Sequence, residues 1–202
     1  MDREAWNERY RGTGLVWSAE PNRFLVEQVS GMTPGRALDL AAGEGRNAVW
    51  LAEQGWQATA VDFSDVAVTK AEEMAAARGV SISTAVADVT GDLTGIVTPG
   101  SFDLVILAYL QLPAPDRAAA LANAVAALAP GGTLLEIAHD SANLDGGYGG
   151  PQDPSVLASP EAVAALLTGL VVERAETVGR PVETPEGPRT AIDHVVRARR
   201  PA

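Results

Sequence analysis

The chain has 202 residues, of which 47% are hydrophobic and 20% charged, and its formal net charge is −11 at pH 7. This length suits one domain with a full hydrophobic core, and the negative charge disfavours nucleic acid as a partner, because phosphate contacts need lysine and arginine. The absence of cysteine excludes disulfides, thiolate metal sites and a cysteine nucleophile.

The apolar runs, the N-terminal sequence and the histidines indicate the cellular location and the partners of the protein. No apolar run approaches the ~18–20 residues needed to span a bilayer, and the N-terminal MDREAWNERY lacks the apolar core of a secretory signal. We therefore expect a cytoplasmic protein with a small-molecule substrate and no membrane association. Its two histidines, His139 and His194, lie far apart in the sequence, so we expect no bound metal. A monomer and a homodimer both remain open.

Apolar runs alternate with helix-like runs through the first two thirds of the chain. Ser64 is a suitable N-cap for the second helix, and Pro130 with Gly131 ends the third. This β-α-β order favours a parallel sheet covered by helices on both faces. Strands are predicted at residues 36–42, 57–63, 81–88, 102–110 and 132–139, and helices at 46–54, 65–78 and 114–130.

The alternation ends after the fifth strand. A long loop at 140–158 precedes a helix with Ser159 as N-cap and Pro160 at its first position. Two further strands, 170–179 and 190–200, are joined by RPVETPEGPR, which is too short for a helical crossover, so they should be antiparallel. The predicted fold is α/β: a Rossmann-like, doubly wound, seven-stranded sheet, mostly parallel, with an antiparallel C-terminal hairpin strand and helices on both faces.

A glycine-containing turn, DLAAGEGRN at residues 39–47, joins the first strand to the first helix. A Walker phosphate loop needs lysine followed by serine or threonine after its glycines, whereas Arg46 and Asn47 follow Gly45. The dinucleotide pattern G-x-G-x-x-G needs a third glycine, and Ala48 stands in that position. The dinucleotide interpretation is therefore weakened but stays open.

The same turn fits a third pattern better. Asp39, Gly43 and Gly45 resemble the D-x-x-x-G-x-G loop of class I S-adenosylmethionine-dependent methyltransferases, with Ala41 where a glycine often occurs. Acidic residues end the second and third strands in AVDFS and VADV, and FDLVILAYLQLP resembles the family's fourth-strand motif. With the leader WNERYRGTGLVWSAEPNRFL, nearly the whole chain resembles the bacterial small-molecule branch that includes tellurite-resistance and thiopurine-type methyltransferases.

The resemblance implies S-adenosylmethionine as methyl donor and S-adenosylhomocysteine as product. The glycines would let the backbone approach the cofactor, Arg46 would pair with its carboxylate, and the two strand-end acids would bind ribose and adenine. Each role has a structural alternative: a tight turn for the glycines, a solvated side chain for Arg46, turn capping for the two acids, and core packing for the apolar residues. The predicted cofactor-binding residues are Asp39, Ala41, Gly43, Gly45, Arg46, Asp62, Phe63, Asp88, Val89 and Ala108.

The acceptor side has fewer signals. His139 and Asp140 end the fifth strand, at the carboxyl edge where open α/β sheets bind ligands. An imidazole oriented by an acid can take a proton from a hydroxyl or thiol, which makes His139 a candidate catalytic base; the alternative is a histidine that shapes the loop. Tyr109, just past the fourth strand, is the second catalytic candidate. His194 should be structural.

Three aromatic residues, Trp6, Tyr10 and Trp17, cluster in the N-terminal segment. They predict either a lid that excludes water from the acceptor or a helix held to the core by aromatic packing. We expect one domain over residues 1–202, comprising a helical lid segment at 1–34, a cofactor-binding core at 35–140 and a substrate-side loop, helix and hairpin at 141–202.

The predicted function is methyl transfer to a small-molecule nucleophile, which can be a thiol, an acidic hydroxyl or a chalcogen oxyanion. Two alternatives remain. One is a non-catalytic protein that binds S-adenosylmethionine or S-adenosylhomocysteine, and the other is an NAD-dependent oxidoreductase. Turnover in a methyl-transfer assay distinguishes a methyltransferase from the non-catalytic binder, and cofactor preference distinguishes it from the oxidoreductase.

Overall fold

The computed structural model describes residues 2–12 and 14–202. Two 3₁₀ turns, Ser141–Asp145 and Pro154–Val156, lie in the long loop. The helices are α1 (Arg3–Tyr10), α2 (Arg23–Val29), α3 (Arg46–Glu53), α4 (Asp65–Ala77), α5 (Ala114–Ala127) and α6 (Pro160–Ala164). The strands are β1 (Arg36–Leu40), β2 (Gln57–Asp62), β3 (Ser83–Val86), β4 (Phe102–Ala108), β5 (Leu128–His139), β6 (Val171–Val182) and β7 (Arg189–Arg199).

The seven strands form one sheet in the order β3-β2-β1-β4-β5-β7-β6. The pairs from β3 to β5 are parallel, and β7 runs antiparallel to both β5 and β6. The fold prediction is therefore confirmed, including the C-terminal hairpin. The strand order reverses between β1 and β4, and in open α/β sheets ligands bind at such a point, outside the carboxyl ends of the strands.

The core explains why the central strands are so apolar. On one face, Leu38 and Leu107 belong to a buried cluster that includes residues of α5 and α6. On the other face, Leu104 and Ile106 pack in a cluster that includes residues of α2 and α3. A strand covered on both faces is a nearly continuous apolar run. None of the helices in the described part of the chain is long and apolar enough to cross a membrane.

The predicted helix starts are confirmed by their caps. The hydroxyl of Ser64 accepts a hydrogen bond from the amide of Ala67 at the start of α4. The hydroxyl of Ser159 accepts one from the amide of Ala162, with Pro160 in the first turn of α6. Each cap satisfies an amide that has no partner within its helix.

Several predicted strands end one to two residues early in the structure, and two further boundaries are wrong because strand pairing decides them. Helix α5 ends at Ala127 rather than Pro130, because Leu128 already pairs with Phe102 and the ladder then shifts register before Leu104. Strand β6 continues to Val182 instead of ending at residue 179, since its last residues pair with the start of β7. The segment interpreted as a link therefore supplies strand residues, among them Arg180.

Candidate cofactor and acceptor site

The glycine turn leaves β1 in a conformation that favours glycine. Ala41, Gly43 and Gly45 have φ values of 59°, 55° and 80°. A Cβ on Gly45 would lie 2.5 Å from the Cβ of Ala71 in α4, and one on Gly43 would lie 3.1 Å from the hydroxyl of Tyr10. Both glycines are thus required for the close packing of the turn, and α3 begins immediately after it.

Ala41 is strained in this turn, because a side chain in the left-handed region costs about 1–2 kcal/mol. We expect Ala41→Gly to relieve this strain and, after the extra backbone entropy of glycine, to raise the thermal midpoint by roughly 2 °C. The neighbouring Ala42→Gly is the matched control and should lower the midpoint, because φ of Ala42 is not positive. Differential scanning calorimetry measures both, and an Ala41→Gly midpoint at or below wild type would contradict the explanation.

Asp39 is a buried acid without a partner. Asp39 is only 1% exposed, and neither of its carboxylate oxygens has a hydrogen-bond partner within residues 2–12 and 14–202. Burial, with a smaller contribution from the charge of Asp62, raises the pKa of Asp39 to about 8, although Arg46 and, more weakly, the nearby backbone amide of Ala48 act in the opposite direction. A buried carboxyl without partners is costly, and a bound ammonium group would satisfy it.

Asp62 braces the glycine turn. At the end of β2, its Oδ2 accepts a hydrogen bond from the amide of Gly43 at 2.8 Å, and its Oδ1 accepts one from the amide of Ser64 at 2.9 Å. Burial raises the pKa of Asp62, while these backbone hydrogen bonds lower it. Each carboxylate oxygen can accept a second hydrogen bond, so binding of the ribose hydroxyls stays a prediction compatible with the bracing role.

The region after β3 is shaped by turn hydrogen bonds. Asp88 is exposed, and its Oδ1 accepts hydrogen bonds from the amide and hydroxyl of Thr90. Asn123 of α5 donates to the carbonyl of Val89, which is buried. Phe63 is half-buried just after the second strand. Asp88 therefore caps its own turn with one oxygen, and the adenine contacts predicted for these residues remain predictions.

The N-terminal segment brings its three aromatic residues together. Trp6 stacks on Tyr10 with ring centroids 5.4 Å apart and lies 6.5 Å from Trp17. The guanidinium of Arg9 lies 5.0 Å from the ring centroids of both tryptophans. Burial raises the pKa of Tyr10 to about 12, and its hydroxyl faces Gly43. The cluster consequently covers the glycine turn.

Sequence reasoning missed a buried ion pair that fastens this segment. Glu44, between the two glycines, is 3% exposed and accepts hydrogen bonds from the amides of Val16 and Trp17 at 2.9 and 3.2 Å. Lys70 of α4 donates to Glu44 at 3.1 Å and to the carbonyls of Gly12 and Gly14. The only local signal was a charged residue between two glycines.

A second missed residue organises the acceptor side. Asp193 of β7 is fully buried, and its Oδ2 accepts hydrogen bonds from the Tyr109 hydroxyl at 2.7 Å and from Nε of Arg180 at 2.6 Å. Nδ1 of His139 lies 2.8 Å from Oδ1 of Asp193, but the two atoms are not aligned for a hydrogen bond. Such contacts often tighten only when substrate binds. We call these four residues the Asp193 cluster.

Tyr109 and His139 hold unusual positions in this cluster. Tyr109 has φ of 59°, and its ring centroid lies 5.0 Å from that of His139. Gly150 of the long loop packs against the imidazole, since a Cβ there would lie 2.8 Å from its Cδ2. Residues held in rarely populated backbone conformations cluster at functional sites. The cluster is therefore fixed by backbone strain and by the loop as well as by its hydrogen bonds.

The expected pairing of His139 with Asp140 is wrong. Asp140 is buried and accepts hydrogen bonds from the amide of Ala142 at 2.9 Å and the hydroxyl of Thr177 at 2.7 Å. Successive strand residues point to opposite faces of a sheet, whereas the β5–β7 register sets His139 directly opposite Asp193.

His194 also lies apart from the cluster. Its Nε2 is 2.7 Å from Oε2 of Glu136 in a buried pair. Burial lowers the pKa of His194, but Glu136 outweighs this effect and leaves the pKa raised. Such a buried pair, set within the ladder of β5 and β7, is what a structural histidine requires.

Arg46 connects the two halves of the site. Its Nη1 donates to the hydroxyl of Ser18 at 3.2 Å. Burial lowers the pKa of Arg46, and the charges of Tyr109, Asp39 and Arg180 are close enough to affect it. Ala108 ends β4 immediately before Tyr109. The predicted cofactor and acceptor residues thus meet at the carboxyl ends of β1, β4 and β5.

Known proteins are similar to this chain in sequence and in fold. The profile of a family described as a methyltransferase domain matches residues 37–132. A 2-heptyl-1-hydroxyquinolin-4(1H)-one methyltransferase of Mycobacteroides abscessus is 32% identical over 147 residues, which cover 71% of this chain and 63% of that protein. The chain therefore spans less than two thirds of the length of this relative.

Two solved structures share the fold. One was described for the conversion of a disulfide bond into a thioacetal group during echinomycin biosynthesis. It has a TM-score of 0.78 at 24% identity, and the match covers 98% of this chain and 92% of the other chain. The N-methyltransferase NodS of Bradyrhizobium japonicum, in complex with S-adenosylhomocysteine, has a TM-score of 0.71 at 21% identity and covers 99% and 98%. Residues 37–132, which contain the glycine turn, therefore form a domain of this methyltransferase family, and the chain as a whole has the fold of these two structures.

Proposed function

We propose that the chain transfers the methyl group of S-adenosylmethionine to a small-molecule nucleophile, either a thiol, an acidic hydroxyl or a chalcogen oxyanion. The observation that carries the proposal is Asp39, a buried acid beside the braced glycine turn that has no hydrogen-bond partner among residues 2–12 and 14–202. An ammonium group is the partner that such a carboxylate lacks. We also propose that the protein acts in the cytoplasm, on no nucleic acid, as a monomer or homodimer.

The residues present fit this cofactor. S-adenosylmethionine supplies an electrophilic methyl group on a sulfonium and carries both an ammonium and a carboxylate. We propose that Asp39 and the carbonyl of Ala108 bind the ammonium, Arg46 the carboxylate and Asp62 the ribose. The remaining predicted contacts are made by Ala41, Gly43, Gly45, Phe63, Asp88 and Val89.

The protein would contribute alignment, exclusion of water and an ionised acceptor. Trp6, Tyr10 and Trp17 already form one cluster over the glycine turn, which supports the lid prediction. His139 and Tyr109 would contact the acceptor, and Asp140 would shape the substrate-side loop from its buried position. The relative named for a hydroxyquinolinone supports a small heterocyclic acceptor.

Calorimetric titration with S-adenosylhomocysteine tests the cofactor. We expect binding by the wild type and none of NAD, and Asp62→Ala should weaken affinity about 10- to 100-fold, the usual effect of losing hydrogen bonds to a charged group. Asp103→Ala is the matched control, because Asp103 is exposed at the start of β4, at the other end of the sheet. Binding of NAD alone would overturn the proposal, and tight binding without turnover of any acceptor would indicate a non-catalytic binder.

A further inference from the structure

Arg180 was not singled out by any sequence motif, yet it lies in the middle of the proposed acceptor side. It projects from β6, donates through Nε to Asp193, and its guanidinium carbon lies 5.7 Å from the centroid of the Tyr109 ring. A guanidinium has five N–H donors, and Nε supplies only one of them. The two terminal nitrogens, on a side chain that is 26% exposed, can therefore serve a ligand.

Charge around Arg180 favours an anion. Asp193 is the buried carboxylate that faces it: burial opposes ionisation, but the contacts of His139, Arg180 and Tyr109 hold the pKa of Asp193 below its ordinary value. One carboxylate therefore neutralises one arginine. Arg46 also lies near Arg180, and its own acidic neighbours are Asp39 and Glu44, of which Glu44 is paired with Lys70. The remaining N–H donors of the Arg180 guanidinium therefore suit a negatively charged group of a ligand.

Two anionic groups can be assigned to the two arginines. Arg46 begins α3 beside the glycine turn, where the carboxylate of the cofactor is expected. Arg180 lies beside the ring of Tyr109 and shares Asp193 with His139, and both of these residues are acceptor candidates. The second arginine is thus left for the acceptor itself.

Resting on the proposed function, we propose that Arg180 binds the acceptor, and that the acceptor is an acidic hydroxyl compound, of the N-hydroxy, enol or phenol type, held through its ionising oxygen. Oxygen is favoured over sulfur because guanidinium groups form strong, directional hydrogen bonds to oxyanions, whereas sulfur accepts hydrogen bonds weakly. A chalcogen oxyanion attacks through the lone pair of its chalcogen atom, which needs no deprotonation, so the imidazole of His139 would have no proton to accept from it.

The transfer step balances with these groups. The acceptor hydroxyl gives its proton to Nε2 of His139, and its oxygen forms a bond to the methyl carbon as the methyl–sulfur bond breaks with its electron pair left on sulfur. The imidazolium then releases the proton to solvent. Asp193 touches no reacting atom; it is a positioning residue that orients Arg180, Tyr109 and the Nδ1 side of His139.

Acceptor binding to the protein saturated with S-adenosylhomocysteine tests the proposal independently of turnover. We expect 1-hydroxyquinolin-4(1H)-one to bind at least about 10-fold more tightly than quinolin-4(1H)-one, which lacks the N-hydroxyl, and Arg180→Gln to remove that preference. Arg180→Lys should restore part of it, because it keeps a cation beside Asp193. Arg174→Gln is the matched control on the same strand, because Arg174 is similarly buried but pairs with the exposed Glu176 and not with Asp193.

Turnover assays complete the test. Wild type should methylate 1-hydroxyquinolin-4(1H)-one and not thiophenol or tellurite, with Arg180→Gln raising KM more than it lowers kcat. Asp193→Asn should lower kcat as well, because it loosens His139 and Tyr109. Unchanged S-adenosylhomocysteine affinity in the Arg180 variants separates this proposal from the proposed function. Methylation of only the thiol or tellurite, no binding of the hydroxyl compound, or an unchanged preference in Arg180→Gln would overturn it.

Discussion

Asp39→Asn is expected to stabilise the protein while nearly abolishing cofactor binding. The carboxyl of Asp39 has no hydrogen-bond partner in the described part of the chain, and burial raises its pKa to about 8 from an ordinary value of 3.8. Each unit of such a shift corresponds to ~1.4 kcal/mol of stability lost when the group is forced to ionise. Removing the ionisable group should therefore raise the thermal midpoint at pH 8 by about 5 °C or more.

The stability difference between Asp39→Asn and the wild type should depend on pH in a defined direction. A raised folded-state pKa means that the contribution of Asp39 to stability is fully present below pH 3.8 and is lost as the pH rises through about 8. The advantage of Asp39→Asn should thus be absent in acid, grow between these two values and level off above them. Asp145→Asn, at an exposed position, should show no such growth. A pH-independent difference would contradict the role given to burial.

Asp39→Asn should weaken cofactor binding, although it stabilises the protein. Asp39 is largely protonated at pH 7, given its pKa of about 8, so an arriving ammonium group should release a proton as the acid ionises beside Asp62 and Arg46. Titration of wild type with S-adenosylhomocysteine in buffers of different ionisation enthalpy should show proton release. Asp39→Asn should weaken affinity on the order of 100-fold and show none. Equal proton release in both proteins would exclude Asp39 as its source.

Breaking the Glu44–Lys70 pair is expected to have the second large effect. Lys70→Met would leave the carboxylate of Glu44, whose side chain is only 3% exposed, without its cation. Removing one partner of a buried ion pair costs about 3–5 kcal/mol, which corresponds to a fall of roughly 10 °C in the thermal midpoint. The double variant Glu44→Gln with Lys70→Met should recover much of this loss, because it removes the buried charge.

The functional consequence should appear first in the N-terminal segment. Lys70 holds the carbonyls of Gly12 and Gly14, and Glu44 holds the amides of Val16 and Trp17, so the variants should expose this segment to limited proteolysis and change Trp17 fluorescence. If the segment is a lid, affinity for S-adenosylhomocysteine should fall about 10-fold.

A surface ion pair in the same segment is the control. Arg11 pairs with Glu4 on the exposed side of α1, and Arg11→Gln should change neither cleavage nor affinity, because exposed pairs contribute little. Cleavage of Lys70→Met at the wild-type rate would show that the ion pair does not fasten the segment.

Local pattern was sufficient for the elements of this fold. The glycine turn, the capping serines and the apolar central strands are set by neighbours a few residues apart, and all were predicted correctly in kind. The predicted boundaries were wrong where strand pairing decides them. Leu128 belongs to β5 because it pairs with Phe102, and Arg180 belongs to β6 because it pairs with Ala191. Such pairing depends on residues distant in sequence.

The sequence by itself indicated the methyltransferase family and its cofactor, and it predicted the edge of the sheet where both ligands should bind. Only the tertiary structure decided which acid lies beside His139. Asp140 is its neighbour in the chain, but strand alternation turns that side chain to the other face, and the β5–β7 register brings Asp193 to it instead. The pairing of β6 with β7 and that of β4 with β5 bring Arg180 and Tyr109 to the same buried carboxylate. A local pattern carries no information on register, because register is set by packing across the whole sheet.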